Sequence, residues 1–496
     1  MTMQRMTDSA GFLRRAELIA RLRARLPDSA VLFDPEDTVP YECDGLSAYR
    51  QPPGLVVLPA DEGEVGFVLR ECHALGVPVV ARGAGTGLSG GALPLADGVL
   101  LSLARLNRIL AIDPLARTAR VQPGVRNLAV SEAAAPHGLY YAPDPSSQIA
   151  CTIGGNIAEN SGGVHCLKYG LTVHNVLRVA GYTVEGEPVE FGAGSLDAPG
   201  LDLLALVIGS EGMLAVVTEV TLRLIPRPEL ARCIMASFES VEAAGEAVAA
   251  VIGAGIIAAG LELMDRPAVR AVEEFVHAGY DLEAAAILLC ESDGTAAEVE
   301  AEIEQMSRVL RDAGASAIRV STSEAERLRF WAGRKAAFPA VGRISPDYYC
   351  MDGTIPRKRL GEVLRFIAEG EQRHGLRCPN VFHAGDGNLH PLILFDANDP
   401  DQLARTEAFA AEVLEKCVEV GGTITGEHGV GIEKINQMCV QFSPGELAAF
   451  RSLRQAFDPA ERLNPGKNIP SLHRCAEYGR QHVSAGRLPF PDLPRF

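Results

Sequence analysis

At 496 residues, with 47% apolar and 22% charged positions, the chain is long enough for two or three cores and too apolar to be disordered. Its formal net charge of −17 argues against nucleic acid, because a phosphate-backbone partner demands a basic surface. The 11 cysteines form no CxxC pair, so they read as reduced thiols of a cytoplasmic protein, with no iron–sulfur ligand set of their own.

The opening stretch, MTMQRMTDSAGFLRRAELIARLRARL, lacks the apolar centre of a secretory signal and carries Asp8 and Glu17, which predicts an amphipathic helix instead. The longest apolar run, 247–260, is interrupted by glycines and falls short of the roughly 20 residues that cross a bilayer, so any membrane contact is peripheral. The strand LVVL at 55–58, an amphipathic helix with Val65, Val68, Leu69, Cys72 and Leu75 at helical spacing, and the strand VPVVAR make a βαβ opening. Further strands follow in GVLLSL, ARVQPG and LAVVTEVTLRLI, as far as the prolines at 226 and 228. From Ala231 the pattern changes to ARCIMASF, a helix over 239–252, IIAAGLELM, AAAILLCES and a helix over 295–313. That alternation predicts an antiparallel sheet with helices on one face. The proline-bounded FDPAERLNPGKNIP has little apolar surface of its own and is expected to pack back on an earlier domain.

Two glycine-rich stretches suggest a cofactor site. RGAGTGLSGGA at 82–92 can bring backbone N–H groups to a pyrophosphate, since glycine admits positive φ and removes blocking side chains. It is not a dinucleotide fingerprint: Pro94 and another strand follow where a helix should begin. A second stretch, PDPSSQIACTIGGNIAENSGG at 143–163, with KYG at 168–170 and GSEG at 209–212, could enclose the same cofactor from the other side.

A further constellation lies in the second half. NVFHAGDGNLHPLILF sets His383 and His390 symmetrically about Asp386-Gly387, a two-residue hairpin signal. Directly opposed residues of such a hairpin have Cβ atoms about 4.5–5.5 Å apart, from which two imidazoles can converge on one ion. TGEHGVGIEK holds the adjacent pair Glu427 and His428 between glycines. In an extended segment they would point to opposite sides, one to the ion and the other to a substrate. Spacing leaves open which of the two meets the ion; a histidine-rich set of this kind suits zinc, with manganese and iron as alternatives.

The combination of RGAGTGLSGG, PDPSS, CTIGGNIAENSGG and GSEG resembles the PCMH-type, or vanillyl-alcohol-oxidase-like, FAD flavoproteins. Along essentially the whole chain it resembles the FAD subunits of bacterial glycolate oxidases, and more distantly the D-lactate and D-2-hydroxyglutarate dehydrogenases. The resemblance implies an α+β fold: a two-part PCMH-type FAD-binding domain plus a cap domain with an antiparallel sheet covered by helices. Its expected boundaries are an N-terminal helical segment at 1–50, the FAD domain at 51–229, the substrate and metal cap at 230–440, and a segment at 441–496 returning towards the FAD domain.

By the same resemblance FAD would be held by Arg82, Gly83, Ala84, Gly85, Thr86, Gly87 and Ser89 at the pyrophosphate. Pro143, Asp144, Ser146, Thr152, Gly155, Asn156, Gly162 and Glu211 would line its remainder. Some relatives attach the flavin through a histidine in the first stretch or a cysteine in the second. No histidine occurs at 82–92, so non-covalent FAD is expected; Cys151 is the thiol in the second stretch. His383, His390 and Glu427 match metal ligands, His428 a catalytic base, and Arg334 in WAGR an arginine that grips the substrate carboxylate, a task suited to a planar bidentate donor.

Where the 2-hydroxyglutarate enzymes carry threonine, lysine and asparagine, this chain has Phe338, Cys350 and Leu392. A small substrate without a second carboxylate is therefore implied, glycolate before D-lactate. A second FAD-domain subunit and an iron–sulfur subunit would take the electrons at the inner face of the cytoplasmic membrane. Two other readings of the residues are a metal-dependent hydrolase, with the glycine loops structural, and a non-catalytic flavin-binding subunit.

Overall fold

Asp61 accepts a hydrogen bond from the Glu64 amide at 2.9 Å and so caps the helix Glu62–Leu75, which ends where Gly76 takes φ +64°. In the computed structural model, which describes residues 2–194 and 200–470, this helix connects strands Leu55–Val57 and Val79–Arg82. Both run parallel to Val99–Ser102, which lies between them, and Val31–Leu32 completes a four-stranded sheet. The N-terminal helix Thr2–Arg23 buries Leu18 and Leu22 in the same core as Val65, Val68 and Leu69. Their four-residue spacing is that of one helix face.

A second, five-stranded antiparallel sheet follows in the order Ile109–Asp113, Thr118–Val121, Val216–Arg223, Val176–Tyr182, Pro188–Gly192. Its central strand Val216–Arg223 alternates buried and partly exposed positions, as a sheet covered mainly on one face requires.

The second half builds on an antiparallel sheet in the order Ala317–Val320, Leu230–Phe238, Ala286–Gly294, Gly260–Asp265, Val381–His383. Here the structure departs from the expected one-sided cover. Ile234, Phe238, Leu288 and Leu263 pack with helices Val241–Gly253 and Ala296–Asp312, whereas Cys233, Met235, Ile287 and Leu289 pack with Arg266–Val276 and Glu324–Lys335. Helices thus cover both faces. The near-continuous apolar character of LARCIMASF and AILLC is the signature of a strand buried on both sides.

After the helix Pro444–Phe457 the chain returns to the first sheet. The Val79 amide donates to Arg462 O and the Asn464 amide to Val79 O, each at 2.8 Å, which adds Leu463 alongside Val79 as a parallel bridge. Lys467 Nζ donates to Leu93 O at 2.6 Å. The remainder of the expected 441–496 segment, from 471 on, lies outside the described residues. One cysteine reading is corrected: Cys439 is disulfide-bonded, whereas those between Cys43 and Cys417 are free thiols. Among the described residues no helix is long and apolar enough to cross a membrane.

Candidate active site

The two glycine-rich stretches meet at Gly83. A Cβ on Gly83 would lie 2.3 Å from Thr152 Oγ1, so only glycine lets the loop after Val79–Arg82 approach the segment before helix Ile153–Glu159. Beside this contact opens a cavity of about 530 Å³. Arg82, Gly83, Ala84, Gly85, Thr86 and Gly87 line it from one side, Ser146, Thr152, Gly155 and Asn156 from the other, with Glu211 at its margin. Gly85 has φ +73°, the left-handed turn that glycine was expected to supply. Thr152 Oγ1 is buried without a partner. A cavity walled by side-chain-free backbone and a waiting hydroxyl fits an elongated, phosphate-bearing cofactor. Cys151 also lines it; burial raises its thiol pKa, and Asn156 Nδ2 lies 3.5 Å from its sulfur.

Four residues assigned to the cofactor stand outside the cavity wall. Ser89 is fully buried, and its carbonyl accepts from the Ile432 and Glu433 amides at 3.0 and 3.1 Å, joining the first loop to the 430s. Pro143 O accepts from Asn127 Nδ2 at 3.1 Å, and Asn127 also donates to Asn156 Oδ1 at 3.0 Å. Asp144 binds His165 Nδ1 at 2.7 Å. At Gly162 an added Cβ would come within 2.6 Å of Glu427 Oε2, so this glycine makes room for the opposite half of the site.

That half is carried by the turn after Val381–His383 and by the loop 423–431. The turn is longer than the expected two residues. His383 bridges Asn388 and Asn380 bridges Pro391, with the Gly387 amide on His383 O at 3.1 Å. His383 and His390 are therefore diagonal neighbours, not directly opposed. Diagonal positions remain within reach of large side chains, and the two rings lie 4.9 Å apart.

The loop 423–431 is curled, not extended, so Glu427 and His428 line the same cavity instead of pointing apart. Glu427 Oε1 lies 3.4 Å from His383 Nε2, 3.3 Å from His390 Nε2 and 3.7 Å from His428 Nε2. His390 and His428 stack at 4.8 Å, 6° from parallel. Burial alone would raise the Glu427 carboxyl, but His383, His390 and His428 outweigh it and bring the pKa to about 2. Burial lowers His428 to about 4, against the pull of Asp352, so its imidazole is neutral at pH 7.

Two overlapping sets of ligand atoms lie within 4.8 Å of one another: His383, His390, Glu427, and Asp352, His390, His428. The chemistry separates them. Asp352 already accepts from the Glu427 and His428 amides at 3.1 and 2.9 Å and from Asn388 Nδ2 at 2.9 Å, with Lys434 Nζ at 3.4 Å. An ion there would compete with those donors and with a buried cation. In the first set, by contrast, His383 Nε2 and His390 Nε2 are buried with no hydrogen-bond partner. Buried polar atoms are nearly always satisfied, and two orphaned imidazole nitrogens facing one carboxylate fit a divalent cation.

Arg334 is fully buried and does not line the cavity. Its Nε donates to Glu262 Oε2 at 2.6 Å, and its Nη2 has no partner. Lys335, Phe338 and Tyr348 reach the cavity instead. Cys350 and Leu392 are cross-strand partners in the two-stranded sheet Asp347–Cys350/Leu392–Phe395, both buried in apolar packing.

Sequence reading missed Glu262, Asp352 and Lys434, which hold the histidines and the loop, and His165, which joins the halves. Glu262 sits in an otherwise apolar strand, GLELM, and a lone carboxylate there is a detectable signal of a buried partner.

Residues 53–192 match the family described as an FAD binding domain, and residues 227–468 the family of FAD linked oxidases, C-terminal domain. The chain is 61% identical over 482 residues to the glycolate oxidase subunit GlcD of Escherichia coli (strain K12), spanning 97% of each. It is 38% identical to the protein of the same name from Bacillus subtilis (strain 168), covering 86% of this chain and 91% of that one. A D-lactate dehydrogenase of Anaerostipes hadrus is 32% identical across 91% of this chain and 97% of its own length. Among solved structures, a 4-ethylphenol oxidase from Gulosibacter chungangensis superposes with TM-score 0.77 at 18% identity, over 93% of this chain and 98% of that one.

Proposed function

Because this chain belongs to the FAD-linked oxidase family, we propose that it oxidises a small 2-hydroxy acid, glycolate to glyoxylate first among them, with non-covalently bound FAD. The observation that supports this most directly is the meeting in one cavity of the glycine loops with His390, Glu427 and a neutral His428.

The glycine loops would hold FAD, and His383, His390 and Glu427 a divalent ion, zinc first and manganese or iron as alternatives. When bound, the flavin supplies a hydride acceptor and the ion a Lewis acid towards the substrate hydroxyl. The chain's own residues do the rest. His428 has an unpartnered Nδ1 and is unprotonated at pH 7, so it can accept the hydroxyl proton. Arg334 does not line the cavity; its unpartnered Nη2 is assigned to the carboxylate on the family resemblance. Phe338 and Tyr348, with ring centroids 5.7 Å apart, offer a side chain longer than a methyl group no charged partner. The two buried apolar positions, Cys350 and Leu392, offer none either, so among these positions only Lys335 carries a charge for a carboxylate, which suits the single carboxylate of glycolate or D-lactate.

The E. coli and B. subtilis relatives are named as subunits. We read this chain likewise as one subunit of a complex, at the inner face of the cytoplasmic membrane, passing electrons to a second FAD-domain subunit and an iron–sulfur subunit. D-Lactate is the competing substrate, in keeping with the name of the Anaerostipes relative.

The test is the anaerobic visible spectrum before and after addition of glycolate or D-lactate. Bleaching of the oxidised-flavin band near about 450 nm is expected with glycolate, and the faster of the two acids identifies the substrate. Protein that takes up no FAD, or a flavin that neither acid reduces in metal-loaded protein, would overturn the reading.

A further inference from the structure

We propose that Asp352 is the positioning residue of the active site, its carboxylate acting as the template around which the loop bearing Glu427 and His428 is folded. This rests on the reading above that Glu427 and His428 serve the reaction.

The loop from Thr423 to Gly431 contains neither helix nor strand beyond the single Thr354–Thr423 bridge, so regular secondary structure does not fix its course. Three successive amides converge instead on Asp352. Glu427 N lies 3.1 Å from Asp352 Oδ1 and His428 N 2.9 Å from Oδ2, while Gly426 N donates to the Asp352 main-chain O at 2.8 Å and lies 3.1 Å from Oδ2. The Thr425 hydroxyl donates to Oδ2 as well, and Asn388, from the turn between His383 and His390, donates Nδ2 to Oδ1 at 2.9 Å. Successive amides curled in this way form an anion-binding nest. Here the protein fills the nest with its own side chain.

The charge is met from behind. Lys434 Nζ lies 3.4 Å from Asp352 Oδ2 and donates to Gly429 O at 2.9 Å, so the cation touches the carboxylate and the far end of the loop together. Both side chains are fully buried. Neither lines the cavity, as Glu427 and His428 do, and their polar atoms are already engaged with the loop and with Glu433, so they act on the site through that loop. Lys434 Nζ also lies 3.0 Å from the buried Glu433 Oε2, and a buried ionic cluster of this kind is better understood as specifying one conformation than as adding net stability over apolar packing.

The donor set explains why the group must be a carboxylate. A carboxylate offers about four acceptor sites; the Glu427 and His428 amides, the Thr425 hydroxyl and Asn388 fill them, with the Gly426 amide and Lys434 sharing Oδ2 at 3.1 and 3.4 Å. An amide would turn an NH₂ group towards N–H donors. Beyond the nest the loop has a second tie, because Glu211 accepts from the Val430 and Gly431 amides, each at 2.8 Å. Loss of Asp352 should therefore free residues 425–428 while leaving the loop docked on the FAD domain.

Hydrogen exchange on the FAD-loaded, metal-loaded protein tests this. The amides of residues 426–428 should be protected in the wild type, although they lie in a loop. In Asp352→Asn the amides of 427 and 428 should exchange at least about tenfold faster, with FAD content near that of the wild type and a lower melting temperature, since Lys434 keeps only Glu433 as its buried counter-charge. Flavin reduction at saturating glycolate should slow by about 100-fold, the order expected for displacement of a reacting group by 1 Å, with a far smaller change in the glycolate concentration giving half-maximal rate. Thr425→Val, which removes one donor and keeps the carboxylate, should fall between the two. Unprotected wild-type amides at 426–428, or an Asp352→Asn protein that reduces its flavin at the normal rate per bound FAD, would overturn the proposal. A wild-type protein that no 2-hydroxy acid reduces would overturn the functional reading instead, and the two failures are told apart by the wild-type rate.

Discussion

Glu262 stands opposite His383 in the register of strands Gly260–Asp265 and Val381–His383, and its Oε1 lies 2.7 Å from His383 Nδ1. The carboxylate accepts a hydrogen bond from Nδ1–H, which favours the tautomer whose Nε2 faces Glu427 and His390. Its other oxygen accepts from Arg334 Nε at 2.6 Å. One buried side chain thus orients both a histidine of the cluster and the arginine beside it.

Glu262→Ala should weaken metal retention by about 10- to 100-fold, the usual effect of losing a carboxylate behind a histidine ligand. It should also destabilise the protein by about 3–5 kcal/mol, because Arg334 would be left buried and unpaired. Metal analysis after dialysis, together with thermal melting, measures both. Unchanged metal content would show that the tautomer does not depend on Glu262.

His428→Ala removes a neutral imidazole that stacks on His390 without serving the flavin loops. FAD content should stay near that of the wild type. Anaerobic reduction by glycolate should fall by about 10²- to 10⁴-fold, the range for a general base. Reduction at the wild-type rate would remove His428 from the proton-transfer step.

Two glycines make opposite predictions for the two halves of the site. Gly83→Ala places a methyl group 2.3 Å from Thr152 Oγ1, so the glycine loop must move away from the cavity wall and purified protein should lose most of its flavin absorbance. Gly162→Ala places one 2.6 Å from Glu427 Oε2 and should lower metal content while FAD is retained. The ratio of flavin to protein absorbance and the metal content of each variant separate the two effects.

His165 lies between Asp144 of the FAD domain, at 2.7 Å, and Glu291 of the cap, at 3.3 Å, with Trp331 beside it at 5.9 Å. Arg327 Nη1 also binds Glu291, at 2.8 Å. Burial by itself lowers the imidazole pKa, but Asp144 and Glu291 outweigh burial and raise it to about 10. A histidine raised above its unfolded value of about 6.5 contributes its full stabilisation below that pH and loses it as pH climbs through the folded value. Between pH 6.5 and about 10 the melting temperature of the wild type should therefore fall more steeply than that of His165→Gln. Parallel melting curves across this window would mean that the bridge contributes nothing to holding the domains together.

Much of this protein was legible locally. Strands such as VPVVAR and ARCIMASF, the helix capped by Asp61, and the glycine loop at 82–92 rest on short-range periodicity and on glycine's access to positive φ, so they could be read residue by residue. The motif set likewise pointed to an FAD-linked flavoprotein before any contact was known. Long-range placement could not be read in the same way. Helices cover both faces of the cap sheet because residues 266–276 and 324–335 fold onto the side opposite 241–253 and 296–312, a choice made by crossovers and not by any one segment's pattern.

The expected hairpin about Asp386-Gly387 gave way to a longer turn, closed by the Gly387 amide on His383 O and the Asn388 amide on Asp386 Oδ1. Glu427 and His428 face one cavity because Asp352, 75 positions or so earlier in the chain, collects their amides. Sequence by itself determined which chemical groups this protein owns and the local turns that carry them. Tertiary structure alone decided which of those groups are buried, paired or left free, because desolvation and hydrogen-bond satisfaction depend on neighbours that the chain brings together only on folding.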